Sequence, residues 1–198
     1  GEADALAGWA AGEIPVFVDP QAACRAFIQP QVLVDAILAK RNLGTSIQDA
    51  PAVIALGPGF TAGVDCHAVV ETMRGHNLGR VYYQGSALPN TGVPGEIGGF
   101  TKERVMHAPA GGTFRAIHKI GDRVEAGEAV AQVDGVPVIT HISGILRGIL
   151  TDGLQIPQGM KCADVDPRCQ PNNCFTVSDK ARSLGGAVLE AMGALGQL

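Results

Sequence analysis

Charged residues are scarce in this sequence, and positive ones are the scarcer kind. Lysine and arginine total 15 against 19 aspartates and glutamates, a formal net charge of −4, and charged residues make up 17% of the chain. A general nucleic-acid-binding protein needs a basic surface, so this composition excludes that class. The 46% hydrophobic content excludes a disordered chain and is typical of a well-buried globular protein.

Long hydrophobic runs are also missing. No apolar stretch approaches the roughly 18 residues of a membrane-spanning helix, and no secretory signal is visible. The five cysteines are odd in number and widely spaced, which argues against a disulfide framework. We therefore predict a protein of the reducing cytoplasm that contacts neither membrane nor nucleic acid. No initiator methionine precedes Gly1, so we expect an amino-terminal part to be missing.

The first half of the sequence predicts strands that alternate with helices. The candidate strands are apolar runs at residues 14–18, 32–38, 53–56 and 81–83. Residues 21–28 are expected to form a short helix, and Asp65 is expected to cap a second helix that runs to about residue 75. Apolar strands between helices are typical of a parallel sheet. We therefore predict a Rossmann-like α/β domain over residues 1–102, incomplete at its amino terminus.

The carboxyl ends of these strands are the expected ligand-binding edge. One end carries the pattern G-x-G-x-x-x-G from Gly57 to Gly63, whose backbone amides can hold an anion. Gln84 stands where the acidic ribose ligand of a dinucleotide site belongs, so phosphate or a nucleotide is favoured over NAD. A tight strand–helix turn and a solvated loop at residues 40–42 are the alternatives. The candidate residues are Asp19, Asp35, Lys40, Arg41, Asn42, Gly57, Gly59, Thr61 and Gly63.

The second half contains an internal repeat at an offset of 32 residues. Residues 112–133 match residues 144–165 at seven of 22 positions, and the repeated glycines mark turns. Two similar β-units that close on each other lose their exposed edges. We predict an all-β domain over residues 103–168 that resembles the biotinyl/lipoyl carrier fold, a barrel-sandwich hybrid. The matching pairs are Gly112/Gly144, Arg115/Arg147, Ile117/Ile149, Gly121/Gly153, Gly127/Gly159, Ala131/Ala163 and Val133/Val165.

The tip of this predicted domain lacks the residue that a covalent carrier needs. The hairpin between the two halves reads Asp134-Gly135-Val136-Pro137 and contains no lysine, so no covalent biotin or lipoyl group is expected. Residues 169–198 are expected to form a carboxyl-terminal segment with a helix from Ser178 to Met192. We expect this helix to pack back onto the α/β domain.

A second candidate site lies where charges of both signs gather near the carboxyl terminus. Asp164 and Asp166 are two apart on a predicted strand and project from the same side, and Arg168 can grip a phosphate bidentately. The alternative is an ion-pair network that joins Asp164 or Asp166 to Lys180 or Arg182. The candidate ligand-binding residues are Lys161, Asp164, Asp166, Arg168, Ser178, Asp179, Lys180 and Arg182.

The cysteines in the same stretch suggest little metal chemistry. Cys162, Cys169 and Cys174 are spaced C-x6-C-x4-C, and only the last two fit a zinc pattern, so we predict no metal site. A thiol that handles sulfur or selenium needs a thiolate stabilised by a nearby cation such as Arg168 or Lys180. Incidental thiols are the favoured interpretation.

Six segments of the sequence carry a family resemblance: residues 34–42, 56–63, 71–76, 89–92, 164–168 and 178–182. Together they resemble the bacterial accessory proteins of the selenium-dependent molybdenum hydroxylase system. The resemblance implies a role in maturing molybdenum hydroxylases that carry a labile selenium cofactor, with the hydroxylase or other maturation proteins as partners, and leaves a homo-oligomer open. We expect the bound ligand to be a nucleotide or the molybdopterin cofactor. The alternatives are a selenium- or sulfur-transfer enzyme that uses Cys66, Cys169 or Cys174, and a non-catalytic scaffold.

Overall fold

The computed structural model describes residues 1–93 and 95–198. The chain divides into two compact units. We call residues 1–90 together with residues 179–198 unit 1, and residues 91–178 unit 2. Within the described residues, the helices are too short or too polar to cross a membrane.

Unit 1 is built on one four-stranded sheet. Its elements are α1 (Glu2–Ala10), α2 (Arg25–Ile28), β1 (Val32–Asp35), β2 (Ala52–Leu56), β3 (Ala68–Val70), β4 (Val81–Tyr82) and α3 (Asp179–Ala194). The strand order is β1-β2-β3-β4, in which the first three strands run parallel and β4 pairs antiparallel with β3. Because β1, β2 and β3 are parallel, their carboxyl ends lie along one edge of the sheet.

The two central strands of this sheet are buried along their whole length. On one face, Val53 and Val69 pack with Phe60. The opposite face packs against α3 through Leu184 and Ala191, which lie about two helical turns apart. This apolar contact fixes α3 against the sheet and thereby positions the first turn of the helix.

Unit 2 contains two antiparallel four-stranded sheets. The strand order is β5-β12-β10-β7 in one sheet and β11-β6-β8-β9 in the other. Two 3-10 turns, Lys102–Arg104 and Pro171–Cys174, flank the strands. The strands are β5 (Val105–His107), β6 (Gly112–Ala116), β7 (Arg123–Val124), β8 (Ala129–Val133), β9 (Val136–Ile139), β10 (Gly144–Ile149), β11 (Gln155–Ile156) and β12 (Lys161–Asp166).

The two halves of the sequence repeat exchange strands in unit 2. β7 from the first half pairs with β10 from the second, and β11 from the second half pairs with β6 from the first. The core includes Phe114 and Leu146, which occupy equivalent positions in the two halves and are both fully buried. Each half therefore contributes one strand to the sheet of the other half.

The predicted fold class, a Rossmann-like α/β domain followed by a barrel-sandwich hybrid, is wrong. The protein is mostly sheet with few helices, arranged as one mixed and two antiparallel sheets. Within the described part of unit 1, no helix connects β1 to β2 or β2 to β3. The helix predicted to begin at Asp65 is replaced by β3, and residues 14–18 form no strand.

Local chemistry explains both differences. The Asp65 carboxylate accepts a hydrogen bond from the Thr61 amide, four residues before it, at 2.8 Å, so it closes a turn instead of capping a helix. The run Ala68-Val69-Val70 that follows is rich in β-branched side chains, which favour a strand. In the predicted first strand, Pro15 lacks a backbone donor, and Val18 is fully exposed instead of packing in a core.

Candidate anion-binding site

Three chain segments meet at the carboxyl edge of the unit 1 sheet. Gly59, in the loop after β2, has a φ of +106°, and a Cβ there would lie 2.4 Å from the Cα of Arg41, in the segment after β1. Gly57 has a φ of +89°, and a Cβ there would lie 2.8 Å from Oγ1 of Thr72, in the segment after β3. Glycine at these two positions therefore lets the loop after β2 pack between its neighbours.

Three cations gather near this edge. Lys180 is half-buried in the first turn of α3, and burial lowers the pKa of its ammonium group. The positive charges of Lys40 and Arg74 lower the Lys180 pKa further, and Glu71 opposes them. Lys40 and Arg74 are thus each close enough to act on Lys180, and we call the three residues the cationic cluster. The amino terminus of α3 adds the positive end of the helix dipole.

The carboxylates around the cationic cluster are already engaged. Asp179 holds Arg74 bidentately, with Nη1–Oδ2 at 2.7 Å and Nη2–Oδ1 at 3.0 Å. Glu71 is fully buried and accepts hydrogen bonds from the amides of Met73, at 2.7 Å, and Leu88, at 2.8 Å. Among the residues that the structure describes, Lys40 and Lys180 form no ion pair. The site therefore carries an excess of positive charge in a partly desolvated place.

Several predicted ligand-binding residues stabilise loops instead. Asp35 is buried and accepts hydrogen bonds from Oγ1 of Thr45, at 2.6 Å, and from the Ile37 amide, at 3.1 Å. Asn42 Oδ1 accepts from the Gly44 and Thr45 amides, both at 2.8 Å. These hydrogen bonds shape the segment that carries Lys40 and Arg41.

The same holds for other parts of the predicted glycine loop. The Gly57 amide donates a hydrogen bond to the backbone carbonyl of Val70 at 2.8 Å, and the Gly63 amide donates one to the backbone carbonyl of Cys66 at 2.8 Å. The Thr61 amide donates to Asp65. Within the described chain, Gly59 is the loop glycine whose amide has no protein acceptor. Asp19 lies further away along the chain and accepts from the Cys24 amide at 2.7 Å, just before α2.

The predicted second site falls mostly in unit 2, where its carboxylates are ion-paired. Asp166 is 1% exposed and is held by Arg168, with Nη2–Oδ2 at 2.6 Å, and by Arg147 at 3.5 Å. The hydrogen bonds from Arg168 lower the Asp166 pKa, although burial opposes them. Asp164 pairs with Arg104 at 3.4 Å and with Lys161 at 3.3 Å.

The structure places three of the predicted residues in the first turn of α3, near Arg74, which was not among the predicted residues. Lys180 and Asp179 lie in the first turn of α3 in unit 1, as does Arg182, while Ser178 ends unit 2. The helix predicted from Asp65 to about residue 75 would have contained Glu71, yet Glu71 follows the buried β3 and is itself buried. Its position directly after the apolar run Ala68–Val70 was the available signal.

Gly59→Ala is expected to disturb the carboxyl edge. The added Cβ would clash with the Arg41 backbone, so we expect unfolding in urea to show a loss of at least about 2 kcal/mol. Gly63→Ala is the matched control, because Gly63 also has a positive φ of +86° but no atom lies within 4 Å of the added Cβ. That control should cost about 1 kcal/mol. Equal losses would show that the approach to Arg41 is unimportant.

Comparisons with known proteins give one strong sequence relative. No protein-family model matches the chain. It is 52% identical over 181 residues to the uncharacterized protein YqeB of Escherichia coli strain K12. This match covers 91% of the chain and 34% of the relative, so the chain spans about a third of the length of the curated relative it matches.

The structural similarities are weak. An aspartoacylase family protein from Mesorhizobium loti has a TM-score of 0.30 and 15% identity, over 32% of this chain and 23% of that one. A succinylglutamate desuccinylase/aspartoacylase from Rhodobacter sphaeroides has a TM-score of 0.29 and 17% identity, over 75% of this chain and 50% of that one. Scores this low support no inference about fold or activity.

Proposed function

We propose that this protein binds a phosphate-bearing ligand at the carboxyl edge of the unit 1 sheet. The observation that carries the proposal is the cationic cluster, in which Lys40 and Arg74 lie near the half-buried ammonium group of Lys180. The ligand would be a nucleotide or the molybdopterin cofactor. In this proposal the protein is cytoplasmic and serves the maturation of selenium-dependent molybdenum hydroxylases.

The physical argument rests on charge balance at Lys180. A partly buried ammonium group is costly unless an anion lies beside it, and its neighbours Lys40 and Arg74 increase the repulsion. A bound phosphate would supply the negative charge, and the Gly59 amide and the amino terminus of α3 would add donors and a favourable dipole. Arg74, fixed by Asp179, would present a planar guanidinium group to the phosphate oxygens.

The maturation role has a different basis. It rests on the resemblance of six sequence segments to the accessory proteins of the selenium-dependent molybdenum hydroxylase system. Two of these segments, residues 34–42 and 56–63, contain Lys40 and the glycine loop. The ligand site and the proposed family role therefore draw on the same part of the sequence. The hydroxylase or another maturation protein would be the partner.

Calorimetry with ATP, GTP and molybdopterin cofactor tests the ligand proposal. We expect saturable binding of one of them that weakens in alkaline solution. Because the Lys180 pKa is lowered, its ammonium group loses its proton at a lower pH than an exposed lysine, whose pKa is about 10.4. Affinity should therefore fall as the pH rises through that lowered pKa. The absence of binding by all three compounds would contradict the proposal.

The transfer of selenium or sulfur by a thiol finds little support in the cysteine environments. Burial raises the pKa of Cys66 to about 11, and burial also raises the pKa of Cys162 and of Cys174. The thiolate is the nucleophile, so these thiols are poorly activated.

We expect iodoacetamide to label Cys66, Cys162 and Cys174 slowly at neutral pH, because little thiolate is present there. Labelling followed by mass spectrometry measures the rate at each site, and the same reaction in urea gives the rate of the unfolded thiols. Rapid labelling at any cysteine of the folded protein, including Cys169, would favour the transfer enzyme instead.

A further inference from the structure

A cavity of about 690 Å³ lies within unit 2. It is separate from the cationic cluster, and its lining includes Lys102, Glu103, His107, His141 and Lys161. The volume falls within the roughly 300–1,000 Å³ that small-molecule sites occupy. Four of these five side chains can carry a positive charge, which is unusual in an acidic protein with a net charge of −4.

A β-bulge orients one of these side chains. The pairing of β12 with β5 shifts register between Lys161 and Ala163. Cys162 and Ala163 are consecutive and both buried, which breaks the alternation of a regular strand. As a result Lys161 and Asp164, three residues apart, share one side of the strand, with Nζ–Oδ2 at 3.3 Å. Bulges of this kind re-aim side chains and are common beside binding sites.

The strand register brings a second basic group next to Lys161. On β5, His107 lies directly opposite Lys161. Opposed side chains on antiparallel strands have their Cβ atoms roughly 4.5–5.5 Å apart, and like charges in that position repel. His141, which follows β9, and Lys102, in the 3-10 turn before β5, complete the basic lining.

The neighbouring carboxylates do not neutralise this lining. Asp164 forms ion pairs with both Lys161 and Arg104, each of which contacts a different carboxylate oxygen. Glu103 accepts the Thr101 amide at 2.9 Å, and backbone hydrogen bonds hold the Glu103 pKa below its ordinary value, so the group stays ionised. These two carboxylates face three positive side chains, Lys102, Arg104 and Lys161, so one positive charge is left unbalanced.

We propose that this cavity binds a small organic dianion, with Lys102 and Lys161 as its charge partners and His107 and His141 as further donors. The shared chemistry is a phosphomonoester or a dicarboxylate, either of which would fill more of the cavity than a bare ion. The inference does not rest on the function proposed for unit 1.

Histidine ring signals provide the test, because the protein has five histidines. We would titrate the protein with inorganic phosphate, succinate and sulfate and follow the ring protons by NMR, with His107→Gln and His141→Gln to assign signals. We expect saturable shifts at His107 and His141. His118, whose Nε2 lies 2.9 Å from Glu128, is the internal control and should not move. Tighter binding of phosphate than of succinate identifies the phosphomonoester class, and the reverse identifies the dicarboxylate.

Charge removal gives the second readout. The double variant Lys102→Gln/Lys161→Gln should bind the tightest of these anions at least about tenfold more weakly. This is the effect of losing one or two charge-assisted contacts. Lys119→Gln, also in unit 2 but outside the lining, should change affinity less than about twofold. Both replaced lysines are exposed, so folding should survive. If the double variant is unfolded by circular dichroism, Lys102→Gln alone carries the same expectation.

The proposal is overturned if none of the three anions shifts His107 or His141 saturably. It is also overturned if the charge-removal variants bind as tightly as the unmodified protein.

Discussion

Lys180→Ala should weaken binding of the phosphate-bearing ligand about 10- to 100-fold. A hydrogen bond between charged groups contributes about 1.5–3 kcal/mol, which corresponds to this range of dissociation constants. The half-buried ammonium group is the member of the cationic cluster whose environment most needs an anion. Calorimetry with whichever of ATP, GTP or molybdopterin cofactor the unmodified protein binds measures the change.

The same variant should keep or gain stability. In the free protein, Lys180 is close to two other positive charges, and its burial favours the neutral form. Its removal relieves repulsion, so the free energy of unfolding should stay equal or rise by about 0.5 kcal/mol. A lysine with a structural role would give the opposite pattern, a loss of stability with unchanged binding.

Two matched variants complete this test. Lys40→Ala removes a second member of the cationic cluster and should weaken binding about tenfold. Lys119→Ala removes a unit 2 lysine outside the cluster and should have no effect on binding. If Lys180→Ala and Lys119→Ala bind the ligand equally well, the phosphate does not lie at the carboxyl edge.

Asp166→Asn should destabilise the protein by about 1.5–3 kcal/mol. The side chain is 1% exposed and accepts the Nε of Arg168 at 3.0 Å as well as its Nη2 at 2.6 Å. Asparagine keeps the shape but leaves the guanidinium groups of Arg168 and Arg147 without the buried carboxylate that balances their charge. Urea unfolding at neutral pH measures the loss.

Acid should reduce the difference in the free energy of unfolding between Asp166→Asn and the unmodified protein. The folded Asp166 pKa is lowered by its hydrogen bonds with Arg168, so its contribution to stability is present above the unfolded pKa of about 3.9. It is lost as pH falls through the lower, folded pKa. A difference that stays constant in strong acid would show that the carboxylate charge is not the cause.

Asp152→Asn is the control for Asp166→Asn. Asp152 pairs with Arg115 at 3.0 Å, but both side chains are more than half exposed, at 54% and 57%. Surface ion pairs contribute about 0–1 kcal/mol, so this variant should unfold nearly as the unmodified protein does. A similar loss in both variants would mean that burial does not distinguish the two carboxylates.

Local sequence alone determined several elements of this protein. The apolar run at residues 53–56 predicted β2, and the spacing of Val188 and Met192 predicted the helix that the structure contains as α3. The repeat of Gly121 and Gly153 marked turns with positive φ, at +98° and +85°. These features depend on backbone preference and on periodicity within a few residues, which the sequence carries directly.

Tertiary structure alone decided the composition of both candidate sites. Arg74 and Asp179 are 105 positions apart and meet because α3 packs against β2 and β3. His107 faces Lys161 because a bulge in β12 resets the strand register. The helix expected from Asp65 failed for a local reason instead, because the Asp65 carboxylate accepts the Thr61 amide four residues before it and closes a turn. Charge proximity and strand register depend on long-range packing, and local patterns contain no information about it.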